Sequence, residues 1–146
     1  MRTKLIALAV VLGLVALAVF TEWTFEVVPF ERRDVAMPPG SASPQQVVAT
    51  YVEALDAHDC DTAEELWLND KADPEMWCSQ ISRARIVGAA DASRESAGRI
   101  DVSLTLNVRW RPFQNDGTIA GDPFSWTYIL TQDRRGAWRI IDNGQG

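Results

Sequence analysis

The only histidine of the chain, His58, stands next to Asp59 and near Asp61. An imidazole beside carboxylates is the usual equipment for acid–base work near neutral pH. The surrounding residues also allow a plainer role, because His58 falls in a polar, turn-like stretch where a helix ends and a cation is favoured. Asp59, Asp61, Glu64 and Glu65 form an acidic cluster. Paired carboxylates can serve hydrolysis or hold calcium, but Asp61 and Glu64 have the spacing of a helix cap, and the ligand rhythm of a calcium loop is missing. Tyr51 and Tyr128 could each place a phenol in an apolar pocket and orient a ligand carbonyl, or simply pack with the hydroxyl satisfied. With Trp110, Trp126 and Trp138 they make up the candidate ligand pocket. Arg109, Arg111 and Arg139 fall on strands, as a solvated outer face or as a stripe for docking a partner. There is no glycine-rich phosphate loop, nucleophile elbow or zinc motif. No catalytic residue, metal ligand or cofactor is therefore assigned.

Cys60 and Cys78 are the only cysteines, with seventeen residues between them. In an oxidising compartment such a pair reads as a disulfide. Closing a loop of that size stabilises a fold by about 3 kcal/mol on the chain-entropy model. Two buried thiols are the alternative. Zinc would need more ligands than two cysteines and one histidine supply, and a redox pair would normally be Cys-x-x-Cys.

Three helices and about four strands must position these groups. Ser43, Pro44 and Gln46 form a capping box with proline at the first helical position. Val47, Val48, Tyr51, Val52 and Leu55 follow at helical spacing, predicting a helix that ends near His58. A second short helix is expected from Asp61, with Glu64 completing its capping box and Ala63, Leu66 and Trp67 on its buried side. A third turn or helix is expected from Asp73 and Pro74, carrying Trp77 and Cys78.

The period then changes to two. Ser82–Ala90 has a weak strand pattern, and Asp91–Gly98 reads as a turn. Asp101–Arg111 alternates strictly, with Val102, Leu104, Leu106, Val108 and Trp110 on one face. Pro112–Pro123 reads as a loop with a turn signal at Asn115-Asp116-Gly117. Phe124–Thr131 places Phe124, Trp126, Tyr128 and Leu130 on one face. Asp133–Gly136 is a tight hairpin turn, and Ala137–Asp142 closes the sheet. Helices followed by a meandering antiparallel sheet define an α+β class, with the sheet curled around the first helix into a cone.

Ahead of this unit, Arg2 and Lys4 precede Leu5–Phe20, sixteen residues without a charge. As a helix that stretch spans about 24 Å, slightly short of a hydrocarbon core of about 30 Å. Trp23 and Phe25 follow where aromatic rings favour the interface. Residues 1–25 are expected to be a signal-anchor, 26–43 a linker rich in proline, and 44–146 the domain. A cleaved signal peptide is the main alternative, with Ala16 and Ala18 as its site; a buried core helix is the third. Either of the first two places the domain outside the cytoplasm. Glu31, Arg32, Arg33 and Asp34 read as solvated mixed charges.

The chain has 146 residues and a net charge of −6. From Ser41 onward, sixteen acidic and ten basic side chains differ by the whole of that charge. A domain of about 100 residues can bury a core with a stability of roughly 5–10 kcal/mol. Its acidity argues against nucleic acid, which needs a positive footprint, and against adsorption of the domain to anionic lipid.

The stretch Pro44-Gln-Gln-Val-Val-Ala-Thr-Tyr-Val-Glu-Ala-Leu-Asp-Ala-His-Asp-Cys-Asp-Thr-Ala resembles the opening helix and turn of nuclear transport factor 2-like (SnoaL-like, cystatin-like cone) domains. Gly136-Ala-Trp-Arg-Ile-Ile-Asp resembles their closing strand. The resemblance covers roughly residues 44–146 and extends to the small membrane-anchored versions that actinobacteria export. It implies the cone-shaped α+β fold and not a function, since members include isomerases, dehydratases, hydrolases and many non-enzymes. Catalytic members often place an Asp–His or Tyr–Asp pair inside the cone, and no such pair stands at a matching position here.

The expectation is a non-enzymatic binding or interaction module, tethered to the membrane by Leu5–Phe20 and facing a small apolar ligand or an envelope protein. A cone-pocket hydrolase or isomerase acting on a small apolar substrate is the runner-up. A homodimer or a larger complex could form through an outer sheet face of Thr105, Asn107, Thr127, Ile129 and Ile141, although these are rather polar for an obligate interface.

Overall fold

Reciprocal bonds between Ser43 and Gln46 begin the helical layer in the computed structural model of the chain. The Gln46 N–H donates to Ser43 Oγ at 3.2 Å, and the Ser43 N–H donates to Gln46 Oε1 at 2.8 Å. Two otherwise orphaned donors are thus satisfied. The structure describes residues 32–68, 74–88, 90–94, 98–111, 113–114 and 123–145. The leader, the Asp73 cap and the Asn115-Asp116-Gly117 turn lie outside the described residues. Among the described residues, no helix is long and apolar enough to cross a membrane.

Helix α1 spans Pro44–Asp56 and buries Val47, Val48, Tyr51, Val52, Ala54 and Leu55. It stops in a Schellman motif. The His58 N–H donates to Leu55 O at 3.2 Å and the Asp59 N–H to Ala54 O at 2.9 Å, while His58 takes a left-handed φ of 54°. That position is usually glycine, whose missing Cβ removes the steric penalty. Helix α2, Cys60–Glu65, starts earlier than the Asp61 cap expected from sequence. Its N-cap is Asp59, which accepts the Thr62 N–H at 3.4 Å. Helix α3 spans Pro74–Gln80. A Cys60–Cys78 disulfide joins the start of α2 to α3, with the Cα atoms 5.8 Å apart. The bond therefore staples two short helices that have little length of their own to stabilise them.

The sheet has five strands where about four were expected: β1 Ile81–Ile86, β2 Asp91–Arg94, β3 Arg99–Trp110, β4 Phe124–Gln132 and β5 Trp138–Gly144. All pairings between them are antiparallel, in the order β1–β3–β4–β5, with β2 also on β3. The additional strand is the segment Asp91–Arg94, read from sequence as a turn. Its Asp, Ala and Ser residues have little strand preference, but β3 is twelve residues long and offers them a ladder. β1 and β2 behave as one broken edge strand. Five steps from Ile86 to Asp91 face three steps from Leu106 back to Ser103, so two residues are extra. Such a break bends a strand and increases twist. A Cβ built on Gly88, at this break, would lie 2.8 Å from Thr105 Oγ1 and 2.9 Å from Thr105 Cβ.

The inner face carries Val102, Leu104, Leu106 and Val108 from β3 and Phe124, Trp126, Tyr128 and Leu130 from β4, all buried. This is the alternation anticipated for both strands. β5 adds Ile140, whose N–H and C=O bond Leu66 O and the Leu68 N–H, both at 2.9 Å. The chain leaving α2 therefore covers part of the β5 edge, one way of protecting an open ladder. The hairpin at Asp133 closes through its carboxylate, which accepts the Arg135 and Ala137 N–H groups at 2.8 and 3.0 Å. Gly136 there takes a φ of 80°.

Gly88→Ala is expected to destabilise the protein by about 1–3 kcal/mol, the usual range for overpacking. Gly40→Ala, whose Cβ meets nothing within 4 Å, is the control. Urea unfolding of both variants measures the difference.

Candidate functional site

The α1 face and the inner sheet bring the two tyrosines together. Tyr51 and Tyr128 are both 0 % exposed, and their rings meet edge to face at 5.5 Å and 71°. Trp67 closes on the other side of Tyr51 at 5.9 Å. Burial, with a further push from Tyr51, holds the Tyr128 phenol well above its ordinary pKa. It therefore stays protonated and can act only as a neutral donor or acceptor. Among the described residues the Tyr128 hydroxyl and the indole N–H groups of Trp67 and Trp126 find no hydrogen-bond partner. Such orphans are uncommon in folded proteins.

The tryptophans divide into separate groups. Trp77 stands between Trp126, at 5.2 Å, and Trp110, at 5.7 Å, and Phe124 meets Trp126 at 5.8 Å. Trp138 is partly buried against the core. Of the five residues anticipated as a pocket, the structure thus pairs Tyr51 with Tyr128, and links Trp110 and Trp126 only through Trp77. Trp67 and Trp77 were read from sequence as helix residues and not as part of the site. Their only early signal was an aromatic ring on a short apolar helix face, which does not tell which ring it will meet.

His58 is held at the α1 corner, not in the aromatic interior. Burial, and next the nearby Arg111, pull its pKa down, against Asp56 and the backbone carbonyls of Ser82 and Cys78. α1 does end at His58, but a lowered pKa does not make it the favoured cation that the helix-end reading expected.

Asp59 also acts locally. It is a buried carboxylate, and burial opposes its charge. The Val35 N–H, Thr62 and Arg32 outweigh that and hold it below the usual carboxylate range. The Val35 N–H donates at 2.8 Å and Arg32 Nη2 at 3.3 Å. Arg32 also reaches Asp61 at 2.6 Å, Arg33 pairs with Asp56 at 3.7 Å, and the Arg33 N–H donates to Ala57 O at 3.0 Å. Val35 and Met37 pack on the core. Arg32 and Arg33, expected from sequence to be solvated charges, are exposed, and through these pairs they also clasp the entering chain to the helical layer. Asp59 and Asp61 of the acidic cluster are engaged by these contacts, and among the described residues no group of three His, Cys, Asp or Glu side chains is placed to hold a metal ion.

The three arginines of the expected stripe do not stay together. Arg139 is tied to Asp133 at 3.5 Å beside the β4–β5 hairpin. Arg111 faces His58. Arg109 lies directly across from Arg83 in the β1–β3 register, with Arg85 opposite Asn107. On the outer face Thr105, Asn107, Thr127, Ile129 and Ile141 are half-buried, and the Ser103 and Thr127 hydroxyls bond across the strands at 2.8 Å.

A scan of the chain against protein-family models finds no match, and a search of curated proteins finds none either.

The depressed His58 pKa makes stability pH-dependent. The unfolded chain binds the His58 proton more readily, so this contribution is full above about pH 6.5 and is lost as pH falls through the lower folded value. Unfolding free energy is expected to decline between pH 7 and pH 5. It should decline less in His58→Asn, because asparagine tolerates the left-handed backbone and does not titrate. Chemical denaturation at both pH values checks this.

Proposed function

We propose that the chain is a non-enzymatic binding or interaction module on a nuclear transport factor 2-like cone, tethered to a membrane by Leu5–Phe20 and exposed outside the cytoplasm. One observation carries the reading: the groups best suited to chemistry are enclosed, whereas the accessible polar groups lie on the outer sheet and the rim. Tyr51 and Tyr128 are ring-packed and 0 % exposed, so a solute reaches neither without displacing core side chains. Arg83, Arg85 and Arg109 are exposed, within reach of a macromolecular partner. The Cys60–Cys78 bond supports an oxidising compartment, and the uncharged leader with Arg2 and Lys4 before it supports the orientation.

A second reading, a cone-pocket hydrolase or isomerase for a small apolar substrate, is favoured by the Tyr128 hydroxyl, a polar group deep in the cone with no partner among the described residues.

Two measurements separate these readings. Native protein from the membrane fraction is expected to contain no titratable thiol and to be cut by protease added from outside. A soluble intracellular protein with two thiols would overturn the placement. Tyr128→Phe is expected to raise stability by about 1 kcal/mol, since it removes an orphaned buried hydroxyl, and to leave retention of a partner unchanged. A turnover that Tyr128→Phe abolishes would favour the pocket enzyme instead.

A further inference from the structure

One attachment of helix α3 to the rest of the domain is covalent. The helix buries Pro74, Trp77 and Cys78. Trp77 fills the space between Trp110 and Trp126. Cys78, 1 % exposed, carries the disulfide to Cys60, and its carbonyl meets His58. Gln80, the last residue of the helix, accepts the Arg111 N–H at 2.8 Å. The β1–β3 ladder begins one residue later, at Ile81. α3 thus combines a plug, Trp77, a crosslink, Cys78, and a fixed point where β1 starts.

The two cysteines belong to parts of unequal firmness. Cys60 follows Asp59, whose carboxylate accepts the Thr62 and Val35 N–H groups and pairs with Arg32. Behind it Ala63 and Leu66 are wholly buried. The interior made by Tyr51 on Tyr128 and by the β3–β4 ladder uses no residue of α3. Seven residues, in contrast, are too few to hold a helix in water. The cost of ordering them is set against the burial of one indole, one proline and one sulfur side chain, which falls short of it. The crosslink therefore decides whether α3 stays docked, whereas α1 and the strands are held without it.

We propose that the Cys60–Cys78 bond is a redox latch: reduction by a dithiol frees α3 from α2 and withdraws Trp77 from Trp110 and Trp126, while α1 and the sheet stay folded. Cys78 is closed to attack in the latched state, so the reductant enters through Cys60, which is half-buried. A thiolate of the reductant attacks the Cys60 sulfur. The Cys78 sulfur leaves with the electron pair of the broken S–S bond and takes up a proton. The second thiol of the reductant gives up its proton, attacks the mixed disulfide and releases Cys60 as a thiolate, which is protonated in turn. Two electrons pass to the cysteine pair, and the reductant departs as its own disulfide. Opening uncovers the faces of Trp110 and Trp126, together with the Trp126 N–H that has no partner among the described residues. The domain then presents an aromatic surface only when reduced, and its polar outer sheet in either state. In an oxidising compartment the latch rests closed.

The test treats the full chain with dithiothreitol in the absence of denaturant and then with iodoacetamide. Mass spectrometry reads the labelling of each cysteine, and amide hydrogen exchange is followed in parallel. After reduction Cys78 is expected to alkylate at a rate similar to Cys60. Exchange across 74–80 should accelerate about tenfold or more, while β3 and β4 keep their protection. Cys60→Ser combined with Cys78→Ser should show the same fast exchange across 74–80 without any reductant. Labelling of Cys60 alone, with Cys78 still protected, means that α3 stays docked without the bond and overturns the latch. Loss of protection in β3 and β4 along with 74–80 makes the bond a support of the whole fold and overturns it as well. A bond that resists dithiothreitol until denaturant is added excludes opening of the native protein.

Discussion

A one-sided antiparallel sheet has to be covered, and a single thirteen-residue helix is too narrow to cover four strands. Most of the architecture follows from that shortfall. α1 lies over the sheet with Tyr51 buried against Tyr128. The flanks are filled by rings from elsewhere in the chain, Trp67 beside Tyr51 and Trp77 between Trp110 and Trp126. Large aromatic side chains suit this purpose, because each removes a large apolar area from water and still tolerates the tilted contacts seen here. The disulfide has its place in the same scheme. α3, seven residues long, has little helical stability of its own, and the bond to Cys60 keeps it where Trp77 is needed.

The corner after α1 links this core to the chain that precedes it. His58 reverses direction in a left-handed conformation, and Asp59 immediately caps α2 and receives Val35 and Arg32. One buried carboxylate thus joins three segments. Its charge is sustained by donors that close around it, the condition under which a buried ion is tolerated. The entering segment acts as part of the domain wall rather than as a free tether from Arg32 onward.

The edge of the sheet shows a comparable economy. β1 and β2 share β3 as partner, and the two extra residues between them allow the edge to bend where Gly88 passes close to Thr105. On the outer face hydroxyls and arginines are common, so that face is polar, while the phenols remain inside.

The capping box of α1, the alternation of β3 and β4, the hairpin at Asp133 and the pairing of the two cysteines were all legible in the sequence. Each depends on residues close in the chain, or on a periodicity that repeats within one element, and such rules hold whatever surrounds them. The strand Asp91–Arg94, the choice of Asp59 over Asp61 as cap, the clasp of Arg32 and the contacts of Trp67 and Trp77 with the other aromatic rings were not. The clasp bonds span twenty-four to twenty-nine residues, and the β2 ladder exists only because β3 is there to receive it. Local preference carries no record of which distant group will arrive, so those features were settled by packing and burial once the helices lay on the sheet.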